Sequence, residues 1–204
     1  MNRTPWLLLI ALAVVGTITV VSLDHGTASS SSSASASADD VPFGELLKDN
    51  SSGVLSARDG VIPETASVFD DGIPAVAKLD DDLLAALRRA ATDADQAGVT
   101  VRITSGWRSP EYQDQLLREA VGKYGSVAAA SRWVAAPDKS AHVSGDAVDV
   151  SSNRAAQWLQ RHGARYGLCR TYGNEVWHFQ LRPDAPQQGC PAMYADPTED
   201  PRMR

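Results

Sequence analysis

Two rhythms of apolar and polar positions run through the chain after residue 80. From Asp81 to Gln96 leucines and alanines recur at helical spacing, with Asp80 ahead as an N-cap and Gly98 behind as a stop. From Val99 to Thr104 the period drops to two, Val and Ile alternating with Arg and Thr, which predicts a strand. Ser105-Gly106 turns the chain, and Ser109 caps a second helix with Pro110 in its first position and Gly122 or Gly125 near its end. A third helix is expected over 126–135, stopped before Pro137. Residues 147–150 read as a strand and 153–166 as a helix. Two more strands are expected over 168–172 and 176–181, joined by Gly173-Asn174, which has the composition of a tight hairpin turn. The pattern predicts an α+β domain, a small antiparallel sheet with helices packed on one side.

Upstream the pattern changes. Trp6 to Leu23 holds eighteen residues without a charge, preceded by Arg3. A spanning helix needs roughly 20 residues and a signal-peptide core has roughly 7–15, so residues 1–28 read as a signal anchor or a signal peptide. Either reading, with Arg3 on the inner side, places the rest of the chain outside the cytoplasm, membrane-anchored or secreted. Ser29 to Ala38 is only Ser and Ala, and residues 29–40 are expected to form a flexible tether. The folded domain is expected over 41–195, its first part irregular and wrapped around the rest, with a tail over 196–204.

Composition narrows the partners. A net charge of −6 over 204 residues argues against nucleic-acid binding, which wants a basic face. The two cysteines, Cys169 and Cys190, form an even count in an exported chain, so a disulfide is the default expectation, with two buried free thiols as the alternative.

The chemistry concentrates in His142, Asp149, Glu175 and His178. The chain has four histidines, and two of them fall here. Two imidazoles and a carboxylate make a mixed N/O set of the kind that holds a catalytic zinc with one position open, and a second carboxylate is left over as a base. Gly145, Ala147 and Asp149 would share one face of a strand, the two small residues leaving room beside the carboxylate. Glu175 and His178 would point to opposite faces of a regular strand, unless Glu175 lies in irregular backbone ahead of it. Glu175 then reads as the general base, or as a turn residue or a partner of a ligating His. Arg108 offers a fixed, forked cation for a substrate carboxylate or an oxyanion, or a structural ion pair.

The stretches that carry these residues resemble the zinc D-Ala-D-Ala carboxypeptidase and dipeptidase family (VanY-like), within the wider group that holds lysostaphin-type endopeptidases and the hedgehog signalling domain. Ser140, His142, Gly145, Ala147 and Asp149 fill the first motif. Glu175, Trp177 and His178 fill the second, and Ser105, Gly106, Trp107, Arg108, Ser109 and Gln113 the third. Trp107 stands where Tyr is commoner and Val176 where Pro is common. The resemblance covers about residues 60–183. It implies one zinc per chain held by His142, Asp149 and His178, with Glu175 as base and Arg108 beside the reacting carbonyl. Ser140, Gln113 and Trp177 would line the substrate pocket. It also implies a monomeric catalytic domain acting on peptidoglycan stem peptides as a D-alanyl-D-alanine carboxypeptidase. L,D-carboxypeptidase, dipeptidase or endopeptidase action on the same site remains open, as does a zinc-containing wall-binding module without turnover.

Overall fold

The structure, a computed structural model, describes residues 54–203. The expected N-terminal anchor and Ser/Ala tether lie outside the described residues. Five strands form one sheet: β1 (Ala66–Ser67), β2 (Arg102–Ser105), β3 (Ala147–Val150), β4 (Leu168–Arg170) and β5 (His178–Leu181). Their order is β1-β2-β3-β5-β4, and every pairing is antiparallel. The longer helices are α2 (Asp81–Gln96), α3 (Pro110–Tyr124) and α5 (Asn153–His162). Short turns of helix make up α1 (Pro74–Ala77), α4 (Val127–Ala130) and α6 (Ala185–Gln188).

Helix α2 forms as its pattern predicts. The Asp80 carboxylate accepts from the backbone N–H of Asp82 and Leu83, supplying two of the four donors a helix start leaves unpaired. Leu83, Leu84, Leu87, Ala90, Ala91 and Ala94 bury one stripe. That stripe and Trp158 and Leu159 of α5 pack on the apolar face of the sheet, formed by Ile103, Val148, Val150, Leu168 and Phe179. Ser109 caps α3 by accepting from Tyr112 N, and Gly125, with φ 81°, ends it.

Four elements differ from the pattern. β2 begins at Arg102 rather than Val99, because its edge partner β1 offers only two residues for pairing. The third helix stops at Ala130, and residues 131–133 turn irregularly. The helix after β3 ends at His162 and continues to Tyr166 as a tighter 3₁₀ turn. Gly173 and Asn174 do not close a tight hairpin. Their N–H groups donate to the carbonyls of Tyr194 and Ala195, so the C-terminal segment pairs with this loop and β5 starts only at His178. That segment is no loose tail. Asp196 and Asp200 are buried, and a disulfide joins Cys169 of β4 to Cys190.

Candidate metal centre

Period-two alternation sorts β3 into two jobs. Val148 and Val150 enter the core, so Asp149 must face the other side. The β3–β5 register sets His178 directly opposite Asp149. Two side chains 29 positions apart thus become cross-strand neighbours on one face.

His142 arrives from the loop before β3, and that loop is tightly held. Gly145 has φ 85°, and a Cβ there would stand 2.6 Å from the Lys78 carbonyl oxygen. The Gly145 carbonyl accepts from Asp80 N. Gly145 is therefore small to let two backbones meet, not to leave room for a metal. Gly106 serves in the same way, since a Cβ on it would stand 2.1 Å from the Ala75 oxygen. The Gly106 carbonyl lies 2.8 Å from His142 Nδ1 and accepts its hydrogen, which leaves Nε2 with a free lone pair facing inward.

Three donor atoms converge. His142 Nε2 lies 3.3 Å from His178 Nδ1 and 3.4 Å from Asp149 Oδ1, and His178 Nδ1 lies 3.1 Å from Asp149 Oδ1. Tetrahedral bonds of about 2.0–2.1 Å to one zinc ion place neighbouring ligand atoms about 3.3 Å apart. The triangle matches one face of that tetrahedron, and all three residues line one cleft. The protonation states fit as well. Burial, aided by the Arg108 charge, lowers His142 to about 4, so it is neutral at pH 7. Burial would raise the Asp149 carboxyl, but the charges and hydrogen bonds of His142 and His178 hold it well below the usual carboxylate range. The far side of His178 meets Gln180, whose amide nitrogen lies 2.9 Å from Nε2.

Glu175 lies in the irregular loop ahead of β5, which frees it from strand alternation. Its Oε2 comes within 3.6 Å of His178 Nδ1, on the same side as the donor triangle. Burial pushes its carboxyl up to about 7, against the pull of the His178 charge and with the help of Asp149. A carboxylate beside a metal triangle that titrates near neutral pH is placed to move protons.

Arg108 faces the cleft with its fork engaged. Nη2 donates to Asp149 Oδ2 at 3.0 Å, Nη1 to Gln113 Oε1 at 3.0 Å and Nε to Ser105 Oγ at 2.7 Å. Arg108 thereby holds the outer oxygen of Asp149 while Oδ1 faces the histidines. Gln113 is buried and braced, its amide donating to the Ala135 carbonyl at 2.8 Å. Ser140 Oγ accepts from His142 N at 3.3 Å. Arg108, Gln113 and Ser140, with Trp177 half-exposed at the rim, line one cleft of about 240 Å³ that contains the donor triangle. The sequence did not point to Trp133, Tyr172, Pro197 or Met203, which line the same cleft. Of these, only the aromatic character of Trp133 and Tyr172 offered any signal.

A three-donor metal triangle beside a buried carboxylate, on a small antiparallel sheet, defines a metallopeptidase-type site. The family model of VanY, D-alanyl-D-alanine carboxypeptidase, matches residues 76–184, which hold every site residue expected from the motifs, and the chain belongs to this family. A D-alanyl-D-alanine carboxypeptidase of Enterococcus faecalis (strain ATCC 700802 / V583) is 32% identical over 114 residues, 43% of this chain and 42% of that protein. The aligned region thus spans less than half the length of that curated relative. Among solved structures, the vancomycin-resistance D,D-pentapeptidase VanY bound to Zn(II) is 30% identical with a TM-score of 0.47, covering 50% of this chain and 72% of that one. DacB from Streptococcus pneumoniae D39 is 30% identical with a TM-score of 0.46, covering 54% and 71%.

Proposed function

We propose that this chain is a zinc-dependent D-alanyl-D-alanine carboxypeptidase that removes the terminal D-Ala of peptidoglycan stem peptides. The observation that carries this reading is the triangle of His142 Nε2, Asp149 Oδ1 and His178 Nδ1, with sides of 3.3, 3.4 and 3.1 Å. A zinc ion bound there would polarise the scissile carbonyl and bring the pKa of a water to roughly 7. Glu175 accepts the proton of the attacking water and passes it to the departing amine. Arg108 holds Asp149 in place and sets positive charge at the cleft wall, where a substrate carboxylate or a developing oxyanion would lie. Buried Gln113 and Ser140 fix Arg108 and the His142 backbone, so the site needs little rearrangement on binding.

The uncharged Trp6–Leu23 run supports action on the outer side of the membrane, where the wall substrate lies. The test is D-alanine release from defined stem peptides by the purified protein. A pentapeptide ending in D-Ala-D-Ala should be cut, chelator should stop the reaction, and added zinc should restore it. Release of D-Ala from the tetrapeptide alone would move the assignment to L,D-carboxypeptidase. Release from neither would overturn the reading.

A further inference from the structure

The family match ends at residue 184, yet the substrate cleft does not. Pro197 and Met203, from the last segment of the chain, line the same cleft as His142, His178, Glu175 and Arg108. This segment is fastened from several sides. The Asp196 carboxylate accepts from Arg132 Nε at 2.8 Å and from Thr198 N at 3.0 Å. Asp200 is fully buried, and it accepts from Tyr172 OH at 3.1 Å and from Arg202 Nε at 2.9 Å. Arg202 also donates to Gln180 Oε1 at 2.8 Å, which ties the segment to β5. Cys190 anchors the approach to it through Cys169. Tyr194 N donates to the Thr171 carbonyl at 3.0 Å. A buried carboxylate with this many partners is expensive to expose, so the segment is held in one place.

We propose that the segment Asp196–Met203 is a fixed apolar wall of the substrate cleft. Pro197 and Met203 are its specificity-determining residues, and they limit the size of the peptide side chains next to the scissile bond. Two features carry this. The first is position: an apolar thioether and a proline ring share one small cleft with the metal triangle and the Arg108 cation. The second is rigidity: a wall that selects by size must not yield, and Asp196 and Asp200 pin the start and middle of the run, while Met203 N donates to the Asp200 carbonyl at 2.9 Å. A small residue such as alanine fits beside such a wall. A branched one meets Met203. An apolar pocket discriminates by one methylene to roughly 10–200-fold at most, which sets the scale of the effect.

The inference rests on the proposed peptidase reading, and its test separates the two. Met203→Ala is compared with the unaltered protein on matched peptides carrying alanine or leucine at each of the two positions flanking the cleaved bond. Cleavage is followed, and so is binding of the corresponding alanine and leucine dipeptides by calorimetry. For at least one position, Met203→Ala should raise the leucine-to-alanine ratio about tenfold in kcat/KM or in dipeptide affinity. Its zinc affinity should stay within twofold of the unaltered protein. Asp200→Asn, which loosens the wall through a residue that does not itself line the cleft, should shift the same ratio in the same direction. If the unaltered protein cleaves nothing, the peptidase reading fails, and the dipeptide affinities alone decide the wall. Ratios unmoved by Met203→Ala at both positions would overturn the wall, as would a loss of zinc affinity that matches the change in ratio.

Discussion

At the residue scale, Glu175 and His142 pull stability in opposite directions as pH changes. Glu175 is raised from 4.5 to about 7, so in metal-free protein its contribution is fully present below about 4.5 and is lost as pH rises through 7. His142 is lowered from 6.5 to about 4, so its contribution is fully present above 6.5 and is lost as pH falls toward 4. The two trends largely cancel in the parent chain. Glu175→Gln removes the first and leaves the second. In chelator, the stability of that variant relative to the parent should grow from pH 5 to 7.5, by up to about 3 kcal/mol. Denaturant unfolding across that range checks this, and parallel curves for the two proteins would refute it. In the metal-loaded protein a neighbouring cation favours the ionised carboxylate, so the acidic limb of the pH–rate profile should lie at or below about 7. Glu175→Ala should keep the metal while D-alanine release falls about 10²–10⁴-fold. The four chemical residues were legible in the sequence because their motifs are short and ordered. The engagement of Arg108 with Asp149 was open between substrate and ion pair. It depends on a contact 41 positions apart that no local spacing encodes.

At the element scale, the site is a product of register. Asp149 and His178 meet because β3 and β5 pair in that frame, and a one-residue slip of β5 would send His178 into the core face, away from Asp149. Phe179 is the fully buried residue beside His178 that holds the frame. Phe179→Ala should cost about 3–5 kcal/mol of stability by thermal or chemical unfolding. Gly145 holds the other half of the site. Gly145→Ala places a Cβ against the Lys78 carbonyl at positive φ, which should cost about 1–3 kcal/mol and weaken metal binding by displacing His142. Calorimetric zinc titration beside a melting curve checks both effects, and unchanged values would refute the role given to this glycine. Helices α2 and α3 were legible because cap, period and stop agree within each. The hairpin expected at Gly173-Asn174 was not found, because those backbone donors are claimed by Tyr194 and Ala195. Local turn chemistry yields when a distant strand-like segment offers the same hydrogen bonds.

At the scale of the whole molecule, the C-terminal segment is where sequence reading fell furthest short. Residues 196–203 look like a polar tail, with three acids and one arginine, and nothing in their spacing announces a buried Asp200. Their place is set by Tyr172, Gln180 and Arg132, all distant in sequence. The Cys169–Cys190 bond closes a loop across 21 positions and helps to hold this segment against the sheet. Its reduction should lower unfolding stability by about 3 kcal/mol, read from denaturant midpoints with and without reductant. The central claim, that three donors from one loop and two paired strands share a single cation, has a more direct test. Crystals of the purified protein grown with zinc can be measured above and below the zinc absorption edge. The account predicts one strong anomalous peak about 2.0–2.1 Å from His142 Nε2, His178 Nδ1 and Asp149 Oδ1. A peak ligated by other residues, or none at this triangle in zinc-saturated crystals, would contradict it.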